Sequence, residues 1–459
     1  MRPLFILNVA ALSPQEVNAE MPRLSSLASE GSLRPLIAPA PALTSVSHAT
    51  MITGQSPREH GVIANGWYDS RYAKIFNWNR SDRLVEGEKL WEIARRRDPS
   101  VRSANLFWRF CTHASCDLTL TERPTYFANG RKGADVYASD PEARRRAIER
   151  HGPFPFFHFW GPKASMPSSA WICEVTRDLL RAREHQLVLC YAPGLDYEGQ
   201  RFGPTSPQAR AALREGDELF GSLIDDAREA GYDVAVVSDY GFTEVSRPIY
   251  LNRALREAGL LEVERAANGE LLEPGASRAF AVCDNQAAHL YIRDPNDIEV
   301  VKQLISDVPG VREVISAESE ASEVEALGHA RSGQLLAIAE PDAWFAYPYW
   351  LDDAHAPDFA PCVDIFNKPG FDPCEMFLRE GLGGKLHAAR RFAQLKLGIR
   401  APFDVISTRA ERVRGARNIR PTAPYEGASL ITSWRQDDAT PLPMTTLRDL
   451  WISRMFDIL

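Results

Sequence analysis

The chain has 459 residues, 44% of them hydrophobic and 25% charged; that is room for two or three domains of about 150 residues and enough apolar material for a large core, which excludes a single small module or a mainly disordered chain. Lys and Arg number 53 against 61 Asp and Glu, a formal charge of −8, so the chain as a whole lacks the basic footprint of a partner for nucleic acid or membrane, though a local arginine cluster can still hold a small anion. The seven cysteines are odd in number and sparse, which argues against a disulfide framework and for a reducing, cytoplasmic compartment.

Leu4 to Ala10 is a mostly apolar run that reads as a first strand, because Ser13, Pro14 and Glu16 follow where a signal peptide would be cleaved. Ser13-Pro14-Gln15-Glu16 supplies an N-cap, a proline at the first helical position and a capping-box glutamate, and Met21, Leu24 and Leu27 keep helical spacing up to Gly31. Leu33 to Ala38 is extended again. Residues 70–170, rich in Trp, Phe, Arg and Pro, read as a loop-rich aromatic cap whose rings either form a small core or stack a base or sugar. Gln186 to Tyr191 and Asp233 to Val237 read as buried strands, with a long helix opening at Ser206-Pro207 between them. Strands alternating with helices predict an α/β fold with a doubly wound, mostly parallel sheet flanked by helices, whose ligands sit beyond the carboxyl ends of the strands. Residues 276–320 read strand, helix, strand over Ala279 to Ile292, Asn296 to Val308 and Val311 to Ile315, a small inserted α+β lobe. Return loops and a final helix near Thr446 to Phe456 close the chain. No run of about 18 apolar residues occurs, so no spanning helix is expected.

The segment Pro41 to Tyr68, PALTSVSHATMITGQSPREHGVIANGWY, places Thr44 after a proline turn with a helix behind it and Asn65 further on. A hydroxyl there is either an N-cap or a nucleophile where backbone N–H groups favour an anion. In YAPGLDYEGQRFGP and VVSDYGF, Asp196 and Asp239 each follow an apolar strand with a glycine close behind, as a turn former or a functional carboxylate would. His355, in the acidic stretch Tyr347 to Asp358, is a further candidate, reaching the site from a loop or serving a replacement ion site. Cys111 to Cys116 has metal-like letters but no second pair, and reads as a loop.

The run P-x-x-T-x-x-x-H-x-x-x-x-T-G-x-x-P-x-x-H-G-x-x-x-N, followed in order by the Asp196 and Asp239 segments, resembles the type I phosphodiesterase/nucleotide pyrophosphatase branch of the alkaline phosphatase superfamily. The resemblance implies an alkaline phosphatase-like core with an inserted cap, phosphoryl transfer through a covalent Thr44 intermediate, and Asn65 helping to hold the phosphoryl oxygens. It also implies two divalent ions, usually zinc, held by Asp and His residues and the nucleophile. Carried over by position, Thr44, Asp196 and Asp239 match. Ala10 stands at the place of the first-strand aspartate, Gln200 and Tyr240 at two histidine places, and Arg417 at that of the late histidine. The remaining ligands cannot supply two ions that each want about four donors. A two-zinc centre is therefore not expected, and the cofactor expectation narrows to at most one Mg, Mn or Zn ion through Asp196 and Asp239. Arg417 offers a guanidinium, and Tyr240 a hydroxyl, to a phosphoryl group in its place. Three readings follow: a phosphoric ester or pyrophosphate hydrolase acting on a phosphorylated small molecule, a binding protein that keeps the pocket, and an enzyme of changed chemistry.

Overall fold

The Leu4–Val9 strand is buried at every residue and pairs in parallel with Leu187–Ala192 on one side and Asp233–Val237 on the other. A central parallel strand has no wet face, which is why all three read as apolar runs. Alternation divides the side chains of the first strand between two cores. Phe5, Leu7 and Val9 pack with Leu24, Ile172 and Phe220 from the helices Pro22–Glu30, Pro167–Ala182 and Pro207–Glu229. Leu4 and Ile6 pack with Met51, Trp91 and Trp451 from Thr44–Thr53, Leu90–Arg97 and Leu447–Phe456. Helices thus cover both faces, as a doubly wound sheet requires. The computed structural model describes residues 1–128, 132–317, 326–419, 421, 423–436 and 438–457.

The main sheet runs Leu442–Pro443, Ser32–Ile37, Ala428–Thr432, Asp233–Val237, Leu4–Val9, Leu187–Ala192, Ser103–Leu106, Leu118–Glu122, Val136–Ala138. Ala428–Thr432 is antiparallel to both neighbours and Val136–Ala138 to its one neighbour; the other pairings are parallel. The long helix starts as its sequence predicts, with the Ser206 hydroxyl accepting the Ala209 N–H at 3.1 Å and Pro207 in the first turn. Ser13 instead caps only the short turn Pro14–Glu16, Glu16 accepting the Ser13 N–H at 2.7 Å; the helix proper begins at Pro22.

Four sequence expectations change. Residues 70–170 are not a cap alone, since Ser103–Leu106, Leu118–Glu122 and Val136–Ala138 complete one edge of the main sheet. These strands are short and carry polar residues such as Asn105 and Thr119, so they lack the apolar run that marks the central strands. The inserted lobe extends past residue 320, its antiparallel sheet running Ala279–Asp284, Ala287–Ile292, Leu335–Ala339, Val311–Ser316 with the helix Ile298–Ser306; positions 318–320 lie outside the described residues. Asn285, at φ 55°, turns the stretch 279–292 into a hairpin rather than one strand. Near the C-terminus, Ala428–Thr432 is an interior strand of the sheet rather than a return loop, and the closing helix Leu447–Phe456 follows it.

Candidate active site

Thr44 opens the helix Thr44–Thr53 and is buried. The extended residue before it, Leu43, has no capping side chain. The helix start is held instead from a distance, where Asn65 Oδ1 accepts the Ser45 N–H at 3.0 Å. Asn65 Nδ2 donates to Asp284 at 2.7 Å, and Asn285 donates to the other Asp284 oxygen at 2.8 Å. Asp284 and Asn285 belong to the lobe hairpin, so the lobe reaches the Thr44 helix through one amide. Burial pushes the Asp284 carboxyl above the usual range, while Arg417 and the two amide donors act the other way.

Thr44 Oγ1 faces the Tyr240 hydroxyl at 3.5 Å, and Tyr240 donates to Asp196 Oδ1 at 2.6 Å. Gln200, one turn along the helix Asp196–Phe202, donates to Asp196 Oδ2. Arg417 Nε lies 3.6 Å from Asp196 Oδ1, and its guanidinium is enclosed by the rings of Tyr240, Phe371 and Trp78 at 4.7, 5.0 and 5.7 Å. The strand Gly415–Asn418 brings it there, pairing Arg417 with Phe242. A Cβ at Gly415 would overlap the Gly199 carbonyl oxygen, so only glycine lets this strand lie on the Asp196 helix. Arg417 is 3% exposed, and its Nε and Nη1 lack hydrogen-bond partners. Buried donors of this kind are rare unless something else satisfies them.

Burial raises the Asp196 carboxyl, opposed by the Arg417 charge and the Tyr240 hydroxyl. Burial also pushes the Tyr240 hydroxyl well above its ordinary value. Burial alone would weaken the charge on Arg417, but Tyr240, Asp196 and Asp284 together hold its guanidinium protonated.

Asp239 turns away from this group. Its carboxylate lies 3.6 Å from His48 Nε2 and 3.4 Å from the Ala11 N–H, and its carbonyl accepts the Ser47 hydroxyl at 2.8 Å. The Arg109 N–H donates to His48 Nδ1 at 3.0 Å, and the Asn8 amide lies 2.7 Å from Nε2. Burial holds the His48 pKa below the ordinary value, so the ring stays neutral against the aspartate's pull.

Thr44, Asp196 and Arg417 reach a cavity of about 600 Å³; Asn65, Gln200, Tyr240 and Asp239 stand behind its lining. Its walls are mostly apolar, with Phe156, Phe159, Trp160 and Phe366 among them, and include Arg109 paired with Glu122 at 3.1 Å. The aromatic stretch near residue 157 therefore does line the site. A buried lysine fastens these walls together: Lys368 Nζ lies 2.6 Å from Asp372 and 3.0 Å from Glu375, which also accepts the Trp160 indole N–H at 2.6 Å. His355 is not brought to this group. It sits exposed on the turn Asp353–His355, 4.0 Å from Asp352, although Asp358 at the end of the same stretch lines the cavity.

A two-metal centre does not fit these residues. Both Asp196 oxygens already accept hydrogen bonds, the Arg417 cation stands 3.6 Å from one of them, and Ala10 has no donor side chain. Among the described residues no three His, Cys, Asp or Glu side chains converge to hold an ion. The single-ion expectation meets the same obstacle, because Asp239 faces His48 and the guanidinium lies beside Asp196.

The residues that sequence reasoning passed over are His48, Asp284 and Asn285. His48 stands one helical turn after Thr44 within the quoted run. Asn285, a residue type that tolerates positive φ, is a turn signal between two apolar stretches.

A family model described as type I phosphodiesterase/nucleotide pyrophosphatase matches residues 4–372. An uncharacterized pyrophosphatase/phosphodiesterase of Schizosaccharomyces pombe is 28% identical over 236 residues, 49% of this chain and 41% of its own length. Venom phosphodiesterase 2 of Crotalus adamanteus is 24% identical over 212 residues, 45% of this chain and 22% of its own. The matched region thus spans less than half the length of these curated relatives. Among solved structures, phosphonoacetate hydrolase of Sinorhizobium meliloti 1021 in complex with phosphonoformate superposes with a TM-score of 0.62 at 13% identity, covering 99% of this chain and 96% of that one. Murine ectonucleotide pyrophosphatase/phosphodiesterase 5, solved as an inactive form with AMP, gives 0.59 at 13% identity, covering 100% and 96%. At such identities the likeness is one of fold.

Proposed function

We propose that this chain, which belongs to the type I phosphodiesterase/nucleotide pyrophosphatase family, binds a phosphorylated small molecule in the strand-end cavity and hydrolyses its phosphoric ester through Thr44 without a two-metal centre. The observation that carries this reading is the hydrogen-bonded series from Thr44 through Tyr240 to Asp196, beside the unpartnered donors of Arg417. Thr44 Oγ1 bonds to phosphorus as the ester P–O bond breaks. Its proton passes to the Tyr240 oxygen while Tyr240 hands its own to Asp196, which releases it to the departing oxygen. A water then attacks the phosphothreonine, and its proton reaches the Thr44 oxygen as that P–O bond breaks. Burial makes Asp196 a stronger base than an exposed aspartate. Arg417 hydrogen bonds to the phosphoryl oxygens and offsets their charge, as the ions do in the family pattern. Asn65 acts from behind, fixing the start of the Thr44 helix.

Ligands in the two solved relatives, AMP and phosphonoformate, are of the class assigned to this cavity. Seven unpaired cysteines, six of them buried, support a reducing, cytoplasmic setting. A second reading, binding without turnover, is favoured by one observation: Asp196 accepts from both Tyr240 and Gln200, which weakens it as a base.

Turnover of bis(para-nitrophenyl) phosphate by wild type and Thr44→Ala, with calorimetry of inorganic phosphate binding to both, separates these outcomes. Hydrolysis should vanish in Thr44→Ala while phosphate binding persists. Binding without wild-type turnover selects the second reading, and turnover indifferent to Thr44→Ala removes the nucleophile.

A further inference from the structure

Among the described residues, the contacts of the helix Gly381–Lys396 fall along one side. Arg391 donates to both oxygens of Asp404 at 2.6 and 3.0 Å, His387 Nε2 lies 3.1 Å from the same carboxylate, and Phe392 packs its ring on Phe403 and Phe157. The other side carries Leu382, Leu386, Ala389, Ala393 and, just past the helix, Leu397. Steps of three and four make this a single stripe. Leu382, Leu386 and Leu397 are 79%, 71% and 75% exposed, and Ile399 follows at 48%. Single exposed leucines are ordinary, whereas a row of them marks a contact surface.

Charge indicates what that surface meets. Lys385, Arg390, Lys396 and Arg400 are all exposed along this stripe. Residues 379–400 hold six Lys and Arg against one Glu in a chain whose total charge is −8. An apolar row edged by cations suits the plane of an anionic bilayer, with leucines among acyl chains and cations among headgroups. The chain-wide charge, which argued against a membrane partner, averages this segment away. Among the described residues no helix is long and apolar enough to cross a membrane. The same segment also walls the cavity through Leu395, Ala401, Pro402 and Phe403, so a surface docked here would lie beside the apolar wall of the Thr44 site.

We propose that the Gly381–Lys396 helix docks the protein on an anionic lipid surface. Docking does not depend on catalysis by Thr44. The full chain is sedimented with vesicles of phosphatidylcholine, with and without phosphatidylglycerol, as wild type, Leu382→Glu/Leu386→Glu, Lys385→Ala and Thr44→Ala. Wild type should pellet with the phosphatidylglycerol vesicles and lose this in high salt. The double glutamate variant, altered only at exposed positions, should stay in solution with unchanged circular dichroism. Lys385→Ala should weaken binding about fivefold, and Thr44→Ala should bind as wild type does. Wild type that stays in the supernatant with both vesicle types overturns the proposal. So does sedimentation velocity showing a dimer that the double variant converts to monomer while vesicles have no effect, since a second copy would then cover the stripe.

Discussion

Replacing Arg417 by Met removes the cation beside Asp196 while keeping bulk against Tyr240, Phe371 and Trp78. At 3.6 Å and an effective dielectric of about 20, the pair attracts by about 4–5 kcal/mol, comparable to the ~3–5 kcal/mol lost when one member of a buried ion pair is removed. Asp196 keeps its Tyr240 and Gln200 donors, so the loss of folding stability should fall near the lower end, about 3 kcal/mol. A bound phosphate loses the charge-assisted hydrogen bonds of Nε and Nη1. At ~1.5–3 kcal/mol for each of the two bonds, its affinity should drop by at least about a hundredfold. Arg417 also holds the Asp196 carboxyl down against burial. Without it that carboxyl rises further, and the acid limb of the pH–rate profile moves to higher pH. Urea unfolding, phosphate calorimetry and the pH profile of aryl phosphodiester turnover check these effects separately. A variant with unchanged urea midpoint, phosphate affinity and pH profile would refute the role given to the guanidinium.

Tyr240→Phe breaks the path from Thr44 to Asp196 and should lower turnover by about 10²–10⁴-fold while leaving phosphate binding nearly intact; equal turnover would remove Tyr240 from the proton path. Lys368→Met leaves Asp372 and Glu375 buried without their cation and should cost about 3–5 kcal/mol in urea unfolding, with faster amide exchange along the cavity wall; unchanged unfolding would show that the wall does not need this clamp. Burial holds His60 down to about 3 and His289 to about 4. Their folded-state pKa values are depressed, so the unfolded chain binds more protons below about pH 6.5, and the stability present above that pH is lost as pH falls. Each should cost about 2 kcal/mol by about pH 5, read as a steeper fall of the urea midpoint in wild type than in His60→Gln or His289→Gln; equal pH slopes in wild type and variants contradict the burial argument.

Central strands were legible in the sequence because a strand covered on both faces leaves an apolar run, as in Leu4–Val9 and Leu187–Ala192. The short strands between residues 103 and 138 left no such trace, and their polar residues made a sheet edge read as a cap. Thr44 and Asp196 stood out because strand ends and helix starts concentrate chemistry. Asp239 occupied the same kind of position, yet its carboxylate faces His48, a direction that only tertiary packing decides. The place of Arg417 depended on Gly415 meeting Gly199 from more than two hundred residues away, a contact no local pattern records. His355 shows the converse: polar neighbours in sequence, but an exposed turn in space. The leucine row at residues 382–397 was readable at helical spacing, but its exposure was not.

In the proposed reaction a guanidinium, rather than a pair of metal ions, neutralises the phosphoryl group beside Thr44. Calorimetric titration of inorganic phosphate into this chain, before and after exhaustive chelation, is the decisive test. The same saturable binding is expected in both samples. Binding that disappears on chelation and returns with added zinc would contradict it.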